Sequence, residues 1–167
     1  RNAGYGLAAV GREAVPALEE AARAERPETR AAAVDALGDM GLPAAPAVAT
    51  LQAALKDGEE EVSTRAAYAL GNVGEAAAAA IPSLVDALDD PRDWVVRHSL
   101  LALAKLGPRA AEVVPEITRC LYHENRYVRG KAALVLRRAG TKEATDALLD
   151  HLTTARWCPL TTKDSQY

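Results

Sequence analysis

The chain has 167 residues, 49% of them hydrophobic but only 4% aromatic, with no Phe and a net charge of −3. Alanine supplies most of the apolar content, and a side chain that small favours helices yet cannot fill a thick core. No stretch of about 18 apolar residues occurs, which excludes a membrane span, and no basic-then-apolar leader opens the chain. Residues 1–90 carry 7 Lys/Arg against 15 Asp/Glu, whereas residues 91–167 carry 13 against 8. Such a two-signed chain favours a specific protein partner over bulk attraction to nucleic acid.

The first segment, Leu7…Val10-Gly11, has the ending that returns along the chain: Leu, two residues, an apolar or small residue, then Gly. The same ending recurs at Leu37…Met40-Gly41, Leu70…Val73-Gly74, Leu103…Leu106-Gly107 and Leu136…Ala139-Gly140, the last four glycines spaced 33 residues apart. A second register follows each glycine: Val15-Pro16-Ala17-Leu18, Val48-Ala49-Thr50-Leu51, Ile81-Pro82-Ser83-Leu84 and Val114-Pro115-Glu116-Ile117. Both registers share the period, so the unit is a hairpin of two helices. Pro is tolerated in a first helical turn, where its missing N–H would be unpaired anyway. Behind it, apolar residues return at three and four, as in Leu84, Ala87 and Leu88. A charged break follows near 25–28, 57–60, 90–93 and 123–126, and a second helix then runs to the closing Gly, which suits a left-handed cap. Breaks are also expected at 41–47, 74–80, 107–113 and 140–144. One hairpin cannot bury its own apolar stripe, so the units must stack.

The run Val128-Arg129-Gly130-Lys131-Ala132-Ala133 with Leu136 and Gly140 resembles the short HEAT-like repeats of the phycobilin-lyase type. The resemblance spans roughly residues 1–152. It implies an all-α, right-handed α-solenoid of about four to five helical hairpins, with the second helices lining the concave face. Tetratricopeptide and ankyrin signatures are missing. Arg1 aligns with Ala31, so the first repeat lacks its leading helix. At the other end a first helix over 145–152 is expected, and residues 153–167 read as a capping tail in which Trp157, Leu160 and Tyr167 cover the last core face.

Projected on the concave face, the period aligns Tyr68 with Asp35, Leu101 and Leu134, His98 with Arg65 and Lys131, and Lys105 with Asp39, Asn72 and Arg138. Glu28, Glu61, Trp94 and Tyr127 form the edge nearest the charged loops. Trp, Tyr and Arg are enriched at binding hot spots. The partner-binding candidates are therefore Tyr68, Trp94, Arg97, His98, Leu101, Lys105, Tyr127, Lys131, Leu134 and Arg138, with Leu101 and Leu134 read as exposed anchors. Arg30 and Arg129 are expected to pair with loop carboxylates, and Cys120 to be a small core residue.

No catalytic residue, metal site or cofactor emerges. His123-Glu124 resembles half of the His-Glu iron sites of deoxyhypusine hydroxylases, but the pair is single and lies in a loop, and an iron site needs several convergent ligands. The basic-aromatic strip resembles that of HEAT-like DNA glycosylases, yet the acidic half would repel phosphate. A tetrapyrrole-lyase subunit has no residue here that signals it specifically. The expectation is a cytoplasmic, non-catalytic scaffold, monomeric or in a hetero-complex, that binds an acidic or amphipathic protein segment. The alternative is an accessory or regulatory domain of an enzyme whose catalytic part lies upstream of Arg1.

Overall fold

The computed structural model describes residues 11–154. Over them the chain alternates short and long helices. Helices α1 (Val15–Ala21) and α2 (Pro27–Met40) make the first described hairpin, α3 (Val48–Ala54) and α4 (Glu60–Val73) the second. Helices α5 (Ile81–Asp86) and α6 (Asp93–Leu106) make the third, α7 (Val114–Arg119) and α8 (Arg126–Ala139) the fourth. Helix α9 (Lys142–Thr154) opens a fifth layer. It begins inside the expected 140–144 break and outruns the predicted 145–152. There is no strand among the described residues. The incomplete first repeat and the capping tail lie outside them.

The two registers become the core. Leu37, Leu70, Leu103 and Leu136 are buried, as are Leu18, Leu51, Leu84 and Ile117 opposite them and Val62, Val95 and Val128 at the entry to each second helix. Cys120 is buried too, which raises its thiol pKa by desolvation and makes it a packing residue. Second helices pack directly on one another, whereas first helices of neighbouring repeats scarcely touch. Helices drawn together on one side and splayed on the other curve the stack, with the second helices inside. Glycine sharpens this. A Cβ added to Gly38 would lie 3.0 Å from Ala69 Cβ, and one added to Gly71 3.0 Å from Ala102 Cα.

The segments expected as breaks at 41–47, 74–80 and 107–113 are instead mostly continuous 3-10 turns. Side chains three apart eclipse in such a turn, and here the inward ones are small: Ala44 and Ala47, Ala77 and Ala80, and Ala110 are all buried. The closing glycines differ from expectation as well. Gly41, Gly74 and Gly107 have φ near +60 to +70° but ψ of −129, −141 and −125°. This region is open almost only to Gly, and it turns the chain straight into the next 3-10 segment. Only Gly140, with φ 67° and ψ 13°, takes the left-handed cap, and α9 follows it without a 3-10 turn.

Gly74→Ala should therefore cost about 1–3 kcal/mol of unfolding free energy, while Gly58→Ala, in an open loop with ordinary φ, should change little. Leu70→Ala and Leu103→Ala should each cost about 2–5 kcal/mol, and Leu101→Ala, half-buried, clearly less. Denaturant melts of the four variants check the ranking.

Candidate functional site: the inner helical face

Two sets of polar contacts organise the inner layer and its edge. Along the edge the charged loops are cross-linked. Arg30 donates to both oxygens of Asp57 (2.7 and 2.9 Å) and to the carbonyls of Ala24 and Glu25. Arg92 closes on Asp90 (2.8 and 2.7 Å) and reaches the carbonyls of Asp57 and Gly58 in the preceding repeat. Asp57 and Asp90 each also accept the N–H two residues on, from Glu59 and Arg92. At the equivalent place His123 Nδ1 accepts the N–H of Asn125, and Asn125 donates to Asp93. His123 is thus a turn-forming residue, and no three His, Cys, Asp or Glu side chains converge as metal ligands among the described residues. Arg129 departs from expectation: it donates to the carbonyls of His123 and Glu124 rather than to a carboxylate.

The second set lies at the far end of the second helices. Asn72 donates to the Gly38 carbonyl (3.1 Å) and accepts from Lys105 Nζ (2.5 Å), which also lies 4.9 Å over the Tyr68 ring. Arg138 repeats the Asn72 rung one layer pair on, donating to the Ala104 carbonyl (3.2 Å). These bonds cross repeats between residues 33 or 34 apart.

Between the two sets stand the aromatics. Trp94 and Tyr127 are each 52% exposed. The Arg97 guanidinium lies 4.2 Å over the Trp94 ring and 4.9 Å over the Tyr127 ring, so one cation joins α6 to α8. His98 stacks on Trp94 at 5.8 Å. Its Nδ1 lies 2.9 Å from the Trp94 carbonyl, which can only accept, so Nδ1 carries the proton. Arg126 lies 4.8 Å over Tyr127 and donates to its hydroxyl, which lowers the phenol pKa. On the side of Trp94 toward α4, a cleft of about 540 Å³ is lined by Glu60, Glu61, Thr64, Arg65 and His98.

The sequence-derived strip is therefore only partly assembled. Trp94, Arg97, His98 and Tyr127 come together, and Tyr68 meets Lys105. Leu101 and Leu134 are half-buried rather than exposed, Leu134 packing against the core, because their column runs along the border between seam and solvent. Lys131, also half-buried, lines a second cleft of about 660 Å³ with Tyr127, Leu134, Leu148 and Leu152, on the side of α8 where a further second helix would stack. The expected cover by Trp157, Leu160 and Tyr167 lies outside the described residues.

Charge pairing splits the face. Arg65 binds Asp35 and Glu61, each at 2.6 Å, and neutralises the acidic half. Among the described residues no carboxylate pairs with Arg97, Lys105, Arg126, Lys131, Arg137 or Arg138. Sequence reasoning missed Asn72, Arg126 and the Asp57–Arg92 edge.

The profile of HEAT repeats matches residues 15–104 and 97–158. The chain belongs to the HEAT repeat family. Among solved structures it is similar to the complex of CpcE and CpcF of phycocyanin lyase from Nostoc sp., at 20% identity and TM-score 0.71 over 80% of this chain and 86% of that one. It is also similar to a designed armadillo repeat protein in complex with the peptide (KR)4, at 17% identity and TM-score 0.68 over 93% and 85% of the two chains. An engineered protein matches at 22% identity and TM-score 0.66, over 81% of this chain and 67% of that one. A search of curated proteins finds no match. These likenesses show the HEAT and armadillo type of helical repeat stack. No described helix is long and apolar enough to cross a membrane.

The edge contacts make stability depend on acid pH. The Arg30 hydrogen bond lowers the pKa of Asp57, and that of Arg92 lowers the pKa of Asp90. A depressed carboxylate contributes stability above its unfolded pKa of about 3.9 and loses it as pH falls through the folded value. Asp57→Asn should therefore lower the melting temperature at neutral pH and flatten its decline below about pH 4. Thermal melts across that range test this, and an unchanged acid slope would remove Asp57 from the account.

Proposed function

We propose that this chain is a non-catalytic protein-interaction scaffold that holds an acidic or amphipathic partner segment on the basic-aromatic half of its inner face. One observation carries the reading. On that half, exposed Trp94 and Tyr127 stand among cations without carboxylate partners, while the acidic half is internally paired. Aromatic rings offer large desolvatable area with few side-chain torsions to fix. Unpaired cations steer an oppositely charged segment toward them.

The structural neighbours agree with the type of activity. One is a designed repeat protein in complex with a peptide, and another is a complex of two repeat proteins. The designed protein's peptide is basic by its printed sequence, whereas the free charge here has the opposite sign. Duplex nucleic acid fits less well, because Glu28, Asp39, Glu60 and Glu61 stand exposed on the same layer of helices and would repel phosphate.

The test starts by capturing a partner on the intact protein and mapping the segment that binds. Trp94→Ala combined with Tyr127→Ala should weaken that complex at least about tenfold, with helicity retained by circular dichroism. Lys105→Glu and Arg138→Glu should mainly slow association and blunt its salt dependence. Unchanged affinity in the double aromatic variant would move the site elsewhere, and tight binding of duplex DNA at physiological salt would replace the reading.

A further inference from the structure

Arginines in this chain have a habit. Arg30 closes on Asp57, Arg92 on Asp90, Arg65 on Asp35 and Glu61, and Arg119 on Asp89, all at 2.6–3.0 Å. Arg97 is held as firmly and has nothing to close on. Its guanidinium lies over the Trp94 and Tyr127 rings, which take the flat, weakly hydrated face of the group and leave its N–H bonds for acceptors in its own plane. Among the described residues no hydrogen bond or ion pair uses those N–H bonds. Nε is enclosed without a partner, while the terminal nitrogens are not among the enclosed atoms.

Neighbouring charge sharpens the need. Arg126 on the Tyr127 ring and Lys131 one turn on are also without a carboxylate. Gly130, one turn beyond Tyr127, puts no side chain beside the fork, and the space where its Cβ would sit is open. A clamped guanidinium with a free fork and open approach matches one chemical group above others, a planar oxyanion accepting two parallel N–H bonds. One guanidinium and one carboxylate also balance in charge, whereas a dianion would leave charge over.

We propose that Arg97 is the carboxylate receptor of the inner face. Trp94 and Tyr127 hold its guanidinium, and its terminal N–H groups take the side-chain carboxylate of an Asp or Glu in the bound segment. This rests on the scaffold reading above and names the group that the scaffold grips. Because the rings fix the side chain beforehand, little rotamer freedom is lost when the carboxylate arrives. Lysine would keep the charge at this position and lose both the fork and the stacking.

The assignment is tested on the intact chain with three fluorescent peptides of one length: Glu alternating with Leu, its Gln twin, and its phosphoserine twin. Anisotropy should show the Glu peptide binding at least about tenfold tighter than the Gln twin. Arg97→Lys and Arg97→Gln should both lose that preference while melting like the wild type. Arg109→Gln, a turn arginine already paired with Glu75, should keep it. Full Glu preference in Arg97→Lys would reduce the effect to bulk charge and overturn the receptor. An Arg97-dependent preference for phosphoserine over Glu would overturn the carboxylate. A wild type blind to Glu against Gln also sinks the proposal. In that case the captured partner decides the wider reading separately, since the strip stands if the double aromatic variant weakens its complex.

Discussion

Two helices can lie against each other only as closely as the side chains between them allow, and here the inner layer is set almost at the limit. Gly38 faces Ala69 and Gly71 faces Ala102, with no room for a single added carbon. Ala36, Ala69 and Ala102 continue the same row of small residues. Everything else follows from that seam. It draws the second helices together while the first helices stay apart, so the stack bends toward it. It explains how a chain almost half hydrophobic manages with few aromatics and no Phe. The leucine and valine columns fill the thin space between the two layers, and the 3-10 turns with their buried alanines close it at the ends. At α8 the row changes, Val135 standing where the earlier layers have Ala, and it is across this α6–α8 boundary that Arg97 bridges two rings.

Much of this was legible in the residues. A buried leucine column has one geometric solution in a stack of hairpins, so Leu37, Leu70, Leu103 and Leu136 declared themselves by spacing. Position in the period was a weaker guide at the border. Asp35 and Tyr68 suggested an outward column, but the leucines that share it fold down toward the core because nothing polar holds them out. Contacts between loops of different repeats were harder still, since the sequence gives spacing and not proximity. Arg30 finds Asp57, 27 residues on. The residue at the same distance from Arg129 is Arg156, and Arg129 turns to backbone carbonyls. The pairing of charges, invisible in a net count, proved the informative quantity at the candidate site.

Seen together, the charge asymmetry of the two halves has different meanings in each. In the acidic half carboxylates outnumber cations, but Arg30, Arg65 and Arg92 are spent holding loops and helices in place. In the basic half the cations of the inner face hang from aromatic rings or single backbone carbonyls. Surface ion pairs add little to stability in general, so the value of the first arrangement is positional. The second leaves charge uncommitted where the flattest exposed rings are found.

The three glycines that end α2, α4 and α6 share one backbone geometry, within about ten degrees in φ and sixteen in ψ. A chain leaving any of them enters its next turn in the same direction, so the joints are interchangeable. The length of such an array can grow or shrink by whole blocks of 33 residues cut at these points without creating a joint the protein does not already contain. The inner face would lengthen by one helix for each block, carrying with it whatever side chains that helix brings. Gly140, with its different backbone, is where this interchangeability stops.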